Sequence, residues 1–340
     1  MSRAFDLAVV AGSFHVPAHE ALAAVRQALA LAPKVVLALT GARMPRSPRH
    51  PFTWEERAAL LGELLADSPR AGIAVEPLRE WWDDGRNARE LAAAAARHAA
   101  PNARIGLLRM DDALAVPAGW TLQDLHDVQA RQDDLLALLH GAETPELALS
   151  AIGPQVPPAV QAFLAAFLRT PDSARLREEA RHIAREKEEW SVAPYPVVLV
   201  TVDAVVRAAG HVLLIRRGRH PGQGLDALPG GFLDPRETVL AAAMRELKEE
   251  TLLPLSDAQL RACLKDRQVF DDPRRSQRGR VVTHAHFFDL PLERPPPVRG
   301  GDDAAAARWV PQQGLPALED HLIDDHLMIL NRFLGFLDAA

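Results

Sequence analysis

The sequence has 340 residues, of which 48% are hydrophobic, so it is long enough to form two domains that each bury an apolar core. Its formal net charge of −6 argues against a protein whose main task is to bind nucleic acid or an anionic membrane. A single cysteine, Cys263, excludes an internal disulfide. No charged-then-apolar leader follows Met1 and no apolar run approaches about eighteen residues, so we expect a cytoplasmic protein.

Short apolar runs alternate with Ala-rich helical stretches in the first half of the chain. The predicted strands are residues 5–11, 34–39, 72–76 and 104–108. The predicted helices begin near Ala18 or span 54–66 and 87–99, and Thr53 followed by Glu56 predicts a capping box for the second of them. This alternation predicts a doubly wound, Rossmann-like parallel sheet with ligands at the carboxyl ends of its strands.

Two helical stretches follow, and they lead to a linker signal at residues 191–196, SVAPYP, where two prolines in three residues favour a stiff connection. We therefore place a domain boundary between residues 190 and 191, giving domains 1–190 and 191–340. Beyond it, β-branched runs at 197–206 and 211–217 flank an Ala-Ala-Gly turn and predict a hairpin.

Residues 231–253, GFLDPRETVLAAAMRELKEETLL, carry the clearest chemical pattern in the chain. Glu246, Glu249 and Glu250 follow Arg245 on a predicted helix, where Glu246 and Glu250 are neighbours one turn apart. Crowded carboxylates repel one another unless a cation lies between them, and Mg²⁺ bound by carboxylates is usually shared with the phosphates of a substrate. The alternative is a solvated acidic helix face.

The spacing from Gly231 through Glu250 matches the Nudix box GX5EX7REUXEEXGU, so the second domain resembles the Nudix hydrolases. This resemblance implies an α/β/α sandwich and hydrolysis of a nucleoside diphosphate linked to another group. It also implies that Glu246 and Glu250 bind Mg²⁺ directly, with Mn²⁺ as a substitute, and that Glu249 is a further ligand or proton acceptor.

The same resemblance assigns supporting roles to neighbouring residues. The carbonyl of Gly230 would complete the metal shell, Arg245 would orient a carboxylate, and Glu237 would hold Arg245 or a water bound to the metal. Leu252 departs from the box, which has its second Gly there, and the left-handed conformation of that Gly costs a leucine roughly 1 kcal/mol. We therefore expect a differently shaped exit loop after the helix, with the carboxylates unaffected.

A wider resemblance, to bifunctional NMN adenylyltransferase/Nudix proteins, is carried by residues 190–194, 201–203, 221–225, 228–232 and 278–280. It implies a second domain that splits ADP-ribose into AMP and ribose 5-phosphate, and strand pairing across a homodimer in some relatives. Gly230, Gly231 and Phe232 are expected to contact substrate. Arg278 and Arg280 suit a diphosphate by bidentate contact, although a solvated hairpin tip is the alternative.

An aspartate pair follows Gly300-Gly301, where related hydrolases place a loop carboxylate that activates water. Either Asp302 or Asp303 fits this role of catalytic base. The alternative is an Asp-rich turn before a strand.

Residues 12–22, GSFHVPAHEAL, are similar to the phosphate-handling turn of nucleotidylyltransferases. Alignment on Gly12, Phe14 and Leu22 puts Ala18 and Ala21 where that family has two histidines, and alanine cannot stabilise negative charge on a phosphate. A slip of one residue brings in His19 but places a leucine at the second position. The nucleotide site formed by Gly12, Phe14 and His19 is therefore expected to be degenerate.

Three functions remain open for the first domain on this basis. It is a retained fold without transferase activity, a working adenylyltransferase that joins NMN and ATP, or a non-catalytic sensor of an NAD-related nucleotide.

Overall fold

The computed structural model describes residues 3–67, 72–111 and 114–337. The chain divides into two compact units, Met1–Arg181 and His182–Ala340. This division falls within a helix, Pro171–Trp190, and so lies before the boundary expected at residue 190. Within the described residues, no helix is both long enough and apolar enough to cross a membrane.

The first unit contains five strands and seven helices, counted over the described residues. The strands are β1 (Leu7–Gly12), β2 (Val35–Leu39), β3 (Ile73–Pro77), β4 (Ile105–Arg109) and β5 (Thr121–Asp124). The helices are α1 (His19–Leu31), α2 (Trp54–Leu64), α3 (Asp84–Ala96), α4 (His126–Gly141), α5 (Pro145–Ile152), α6 (Pro158–Phe167) and α7 (Pro171–Trp190), with a 3₁₀ turn at Gly153–Gln155. Pairing is parallel throughout, in the order β3-β2-β1-β4-β5, which confirms the Rossmann-like prediction.

Helices cover both faces of this sheet because β1 alternates its side chains between two cores. Val10 packs with Val25 of α1 on one face, and Val9 packs with Leu91 of α3 on the other. Thr53 caps α2 in the predicted capping box with Glu56. All six residues of β1 are buried, as the apolar run predicts.

The second unit is built on a seven-stranded mixed sheet. Its strands are β6 (Val198–Ala208), β7 (His211–Arg217), β8 (Asp226–Ala227), β9 (Gly230–Phe232), β10 (Leu264–Phe270), β11 (Arg280–Leu290) and β12 (Ala304–Pro311). Its helices are α8 (Val239–Thr251), α9 (Asp257–Cys263) and α10 (His326–Leu334), with a 3₁₀ helix at Gln312–His321. The main path is β10-β11-β6-β7-β12, and β9 pairs with β6 while β8 pairs with β7.

Strand β6 separates the two cores of this unit. Val206 faces Met244 and Leu247 of α8, whereas Val205 faces Leu330 of α10. Helices therefore cover both faces of the sheet, and the predicted sandwich is confirmed. The antiparallel pairing of β9 with β6 places Gly230 opposite Asp203, beside the first residues of the acidic pattern.

Candidate active site

Helix α8 packs by one face and presents carboxylates from the other. Thr238 precedes it, and its Oγ1 accepts a hydrogen bond from the Ala241 N–H at 3.3 Å, which satisfies a donor at the helix start. Met244 and Leu247 are buried in the core beneath the sheet. The helical repeat then turns Glu246 and Glu250 toward β9.

Glu250 is 4% exposed, and its Oε2 accepts a hydrogen bond from the Gly230 N–H at 2.9 Å. Burial, assisted by the charge of Glu246, raises the pKa of Glu250 to about 8 against the opposing effect of the Gly230 N–H. Burial also raises the pKa of Glu246, although Arg245 opposes that shift. A cation placed between these two carboxyl groups would stabilise their ionised forms.

The two glycines of β9 allow the close approach of strand and helix. A Cβ on Gly231 would lie 2.4 Å from Oε1 of Glu246, and one on Gly230 would lie 2.2 Å from the carbonyl oxygen of Val202. Real Cβ atoms do not approach so closely, so both positions exclude a side chain unless something moves.

Arg245 binds three carboxylates at once. It donates to Glu237 through Nε at 3.1 Å and Nη2 at 2.7 Å, and through Nη1 to Glu246 at 2.9 Å and Glu249 at 3.0 Å. A further bond joins Nη2 to the carbonyl of Phe232 at 3.3 Å. These bonds, with Glu237 first, raise the pKa of Arg245, while Arg245 lowers the pKa of Glu237. Arg245 thus fixes the helix acids relative to β9.

A cavity of about 490 Å³ opens beside these residues. Its acidic lining consists of Glu186, Asp203, Asp234, Glu246, Glu250, Asp302, Asp303 and Asp324. Its arginine lining consists of Arg217, Arg219, Arg245, Arg275 and Arg278. Acids outnumber arginines among these described residues, and hard carboxylate oxygens are what Mg²⁺ and Mn²⁺ take as ligands.

The donor set therefore fits a divalent cation by its chemistry. In the part of the chain that the structure describes, no three Asp, Glu, His or Cys side chains are grouped closely enough to hold a metal ion as they stand. The carboxylates of Glu246 and Glu249 are instead bound by Arg245. Of the predicted ligands, Glu246, Glu250 and Gly230 line the cavity, while Glu249 and Glu237 lie behind them on Arg245.

Both predicted base candidates line the cavity but differ in their contacts. Asp303 forms an ion pair with Arg219, Oδ1 to Nη1, at 2.7 Å, and its carbonyl accepts from the Gly218 N–H at 2.8 Å. Asp302 adopts a left-handed φ of 45° and lies close enough to Glu246 to raise its pKa. The structure thus brings Asp302 toward the acids of α8.

The two predicted diphosphate-binding arginines are placed differently. Arg278 lines the cavity, but its Nε and Nη2 already donate to Glu186, at 2.9 Å and 2.6 Å. The Nε–Nη2 edge of the guanidinium, one of the two edges that can bind phosphate in bidentate fashion, is therefore engaged. Arg280 is absent from the cavity lining and donates through Nη1 to the carbonyl of Asp271. Gly231 and Phe232 line the cavity as expected.

Several lining residues were missed by the sequence analysis. Arg217 is half-buried, desolvation lowers its pKa, and its Nε donates to the carbonyl of Pro221 at 2.7 Å. His326 accepts from the Leu228 N–H through Nδ1 at 2.9 Å. Arg275 forms a buried bidentate pair with Asp325 at 2.9 and 2.8 Å. These side chains come from a strand, a helix and a loop, and no local spacing marks them in the sequence.

The expected change in the exit loop after α8 is wrong. Leu252 itself adopts the left-handed conformation, with φ 50° and ψ 32°, and its N–H donates to the Lys248 carbonyl. The following helix carbonyls are also capped, since the Gly301 N–H donates to the carbonyl of Glu250 and the Arg299 N–H to that of Thr251. This outside support holds the backbone in the geometry that the box glycine would take, at the strain cost of a leucine.

The residues predicted for the nucleotide site of the first unit are not brought together as one polar site. Phe14 is fully buried with φ 51°, and a Cβ on Gly12 would lie 2.4 Å from Met110 Cε. His19 is exposed on the first turn of α1. Ala18 and Ala21 are buried at 1% and 0% exposure and pack in the hydrophobic cores.

Other polar groups lie at this end of the sheet. Gln129 contacts Ser13, accepting from its N–H at 3.5 Å and donating to its Oγ at 3.2 Å. His15 Nε2 lies 3.3 Å from His50 Nδ1, and burial lowers the pKa of both rings well below the ordinary value. Neutral imidazoles and an amide therefore lie beside the turn that resembles a phosphate site.

Comparisons with known proteins agree with this division of the molecule. Residues 198–330 match the NUDIX domain model. The chain is 33% identical over 147 residues to the ADP-ribose pyrophosphatase of Methanocaldococcus jannaschii, covering 42% of this chain and 80% of that protein.

Solved structures extend the likeness to the whole chain. A bifunctional NMN adenylyltransferase/ADP ribose pyrophosphatase from Francisella tularensis is 26% identical, with a TM-score of 0.85 over 98% of this chain and 99% of that one. The structure of the same kind of enzyme from that organism with AMP and a Mn ion is 25% identical, with a TM-score of 0.84 over 97% and 99%.

Proposed function

This chain belongs to the Nudix hydrolase family, and from that premise we propose that it hydrolyses the diphosphate of ADP-ribose to AMP and ribose 5-phosphate. The name of the curated relative and those of the two full-length structural relatives support this substrate. The observation that carries the proposal is the placement of Glu250, buried against the Gly230 N–H and beside Glu246 in a large cavity.

Glu246 and Glu250 would hold the divalent cation, which we propose to be Mg²⁺ with Mn²⁺ as a substitute. The Gly230 carbonyl would add a ligand, and Glu249 would add another by exchanging its contact with Arg245 for the cation. When bound there, the cation supplies neutralisation of diphosphate charge and a lower pKa for a bound water. Arg245 holds Glu246 in place and is itself held by two bonds to Glu237. Glu237 is therefore a positioning residue.

Asp302 is the proposed proton acceptor. Attack of water on one phosphorus forms a new P–O bond, breaks the bridging P–O bond and releases one proton, which a carboxylate must accept. Asp303 is paired with Arg219, whereas Asp302 faces Glu246. Asp302 thus lies on the side of the cavity where the helix acids gather.

The test is chromatography of ADP-ribose incubated with the protein, with Mg²⁺ or with a chelator, beside Glu250→Gln. Glutamine keeps the volume and the oxygen that accepts from Gly230, so the fold is retained while one anionic ligand is lost. We expect AMP from the wild type with metal, and a rate about 10²- to 10⁴-fold lower for the variant. Equal rates for the two proteins would exclude this site.

We also infer that the first unit does not transfer adenylyl groups. Ala18 and Ala21 are packing residues, and no positive charge can be offered from those positions. The measurement is pyrophosphate release from ATP and NMN, for which we expect no signal above background. Binding of NAD-related nucleotides to the Glu250→Gln protein would then distinguish a sensor from a scaffold.

A further inference from the structure

Four side chains pack together beside the cavity, and we name them the Phe232 platform: Phe232, Arg278, Glu186 and Trp190. The Cζ of Arg278 lies 4.7 Å from the centroid of the Phe232 ring and 5.8 Å from that of Trp190. The two aromatic rings meet edge to face, with centroids 6.4 Å apart and planes at 82°. Phe232, Arg278 and Glu186 line the same cavity as Glu246 and Glu250.

Glu186 fixes the orientation of the guanidinium. Its two oxygens accept from Nε and Nη2 of Arg278 at 2.9 and 2.6 Å, which is the fork geometry that makes a rigid, planar pair. The pair is half-buried, with side-chain exposures of 22% and 17%, so solvent screens it only in part. Because the carboxylate neutralises Arg278, the platform offers a polarisable aromatic surface without being a free anion receptor.

Phe232 remains 37% exposed although it is a large apolar side chain. It immediately follows Gly231, where a Cβ would lie 2.4 Å from Oε1 of Glu246, so the ring lies beside the carboxylates proposed to hold the cation. An exposed aromatic ring at that position suits a planar π system, since bases stack on aromatic rings.

We propose that the Phe232 platform binds the planar base of the nucleoside diphosphate substrate, with the base stacking on the exposed Phe232 ring and with Arg278, Glu186 and Trp190 holding that ring in position. This inference rests on the proposed hydrolysis of ADP-ribose. Glu186 and Trp190 belong to α7 and precede residue 198, where the family match begins. The end of α7 is therefore part of the substrate site in this chain.

The experiment uses the full-length protein and two probes, AMP and ribose 5-phosphate. Dissociation constants come from calorimetry with Mg²⁺ present, and the same compounds serve as product inhibitors of ADP-ribose hydrolysis. Phe232→Leu removes the ring but keeps an apolar side chain, and Phe232→Tyr restores a ring. Phe270→Leu is the matched control, because Phe270 packs against Phe333 and is not among the residues that line this cavity.

We expect Phe232→Leu to weaken AMP binding by about 10- to 100-fold, the loss of one stacked base. Ribose 5-phosphate should bind within about twofold of wild type, Phe232→Tyr should rescue AMP binding, and Phe270→Leu should change neither ligand. For Glu186→Gln, which keeps the shape but unfixes Arg278, the KM for ADP-ribose should rise while kcat stays near wild type.

Unchanged AMP binding in Phe232→Leu would overturn the proposal that the platform binds the base. A selective loss of ribose 5-phosphate binding in this variant would overturn it too, as would a wild-type protein that does not bind AMP. The proposed hydrolysis fails separately, if the wild type binds AMP but produces none from ADP-ribose with Mg²⁺. In that case a loss of AMP binding in Phe232→Leu still supports the platform as a base-binding site.

Discussion

Arg245 donates two hydrogen bonds to Glu237, from Nε at 3.1 Å and from Nη2 at 2.7 Å. The third nitrogen of the same guanidinium reaches Glu246 and Glu249. A planar fork can satisfy all three carboxylates, whereas a lysine ammonium is a single point charge on a flexible stem. The relative positions of the helix acids therefore depend on the shape of Arg245 as well as on its charge.

Arg245→Lys is expected to weaken the affinity for Mg²⁺ by about 10- to 100-fold, the usual effect of removing a partner that orients metal ligands. Activity titrated against Mg²⁺ concentration measures this, and saturating metal should recover part of kcat. The matched control is Arg261→Lys, an exposed position on α9. If the two lysine variants titrate alike, the orienting role of Arg245 is refuted.

The two glycines of β9 should respond differently to alanine. In Gly231→Ala the new Cβ meets the Glu246 carboxylate, a side-chain end that can move, so the free energy of unfolding changes little. The displaced ligand should lower kcat by about 10²-fold, as a misplacement near 1 Å does.

In Gly230→Ala the new Cβ instead meets the carbonyl oxygen of Val202, which is a backbone atom of β6 and cannot move aside as a side chain can. We expect a loss of about 1–3 kcal/mol in the free energy of unfolding in addition to lost activity. Urea unfolding and ADP-ribose turnover on both variants make the comparison. An equal loss of stability in the two would contradict this account of β9.

Local pattern predicted the elements and the acids of this site because they depend on neighbours in sequence. Glu246 and Glu250 lie one helical turn apart, and Gly231 precedes the same helix, so spacing alone indicates that they meet. Glu186 and Arg278 are 92 positions apart, and only the packing of α7 beside the β10–β11 loop joins them. Nothing in their local sequence marks that contact.

Leu252 is a second case in which contacts distant in sequence decide the local structure. The sequence indicates that a leucine is strained where the box has glycine, and the left-handed backbone of Leu252 does carry that strain. It does not reveal that Gly301 and Arg299 hold the last helix carbonyls, so it cannot predict that the strained geometry is kept.

Leu252→Gly should therefore raise the free energy of unfolding by about 1 kcal/mol, because glycine adopts φ 50° without the clash of a Cβ. Leu252 is 44% exposed, so little burial is lost with the side chain. Leu252→Ala is the control, since alanine keeps the Cβ and with it the strain. Urea unfolding distinguishes the two variants. If the alanine variant is as stable as the glycine variant, the effect comes from removing the leucine side chain and not from relieving backbone strain.

The first unit should lose stability in mild acid because of His140. This residue is 3% exposed, and burial lowers its pKa to about 4, while an unfolded histidine has a pKa near 6.5. Between those two values the unfolded chain binds more protons than the folded one. The free energy of unfolding therefore falls as pH falls, by about 1.4 kcal/mol per pH unit for this one histidine, and it is independent of His140 above pH 6.5.

Hydrogen exchange of the β1 amides from pH 7.5 to 4.5, corrected for the intrinsic pH dependence of exchange, measures this slope within the first unit. In His140→Leu, which keeps a side chain of similar volume, the slope between pH 6.5 and about 4 should be shallower by about 1.4 kcal/mol per pH unit. His15 and His50 also have lowered pKa values, so part of the acid sensitivity remains in this variant. His19→Gln, at an exposed position on α1, should retain the full wild-type slope, and a slope in His140→Leu equal to that of His19→Gln would show that His140 is not the group that titrates.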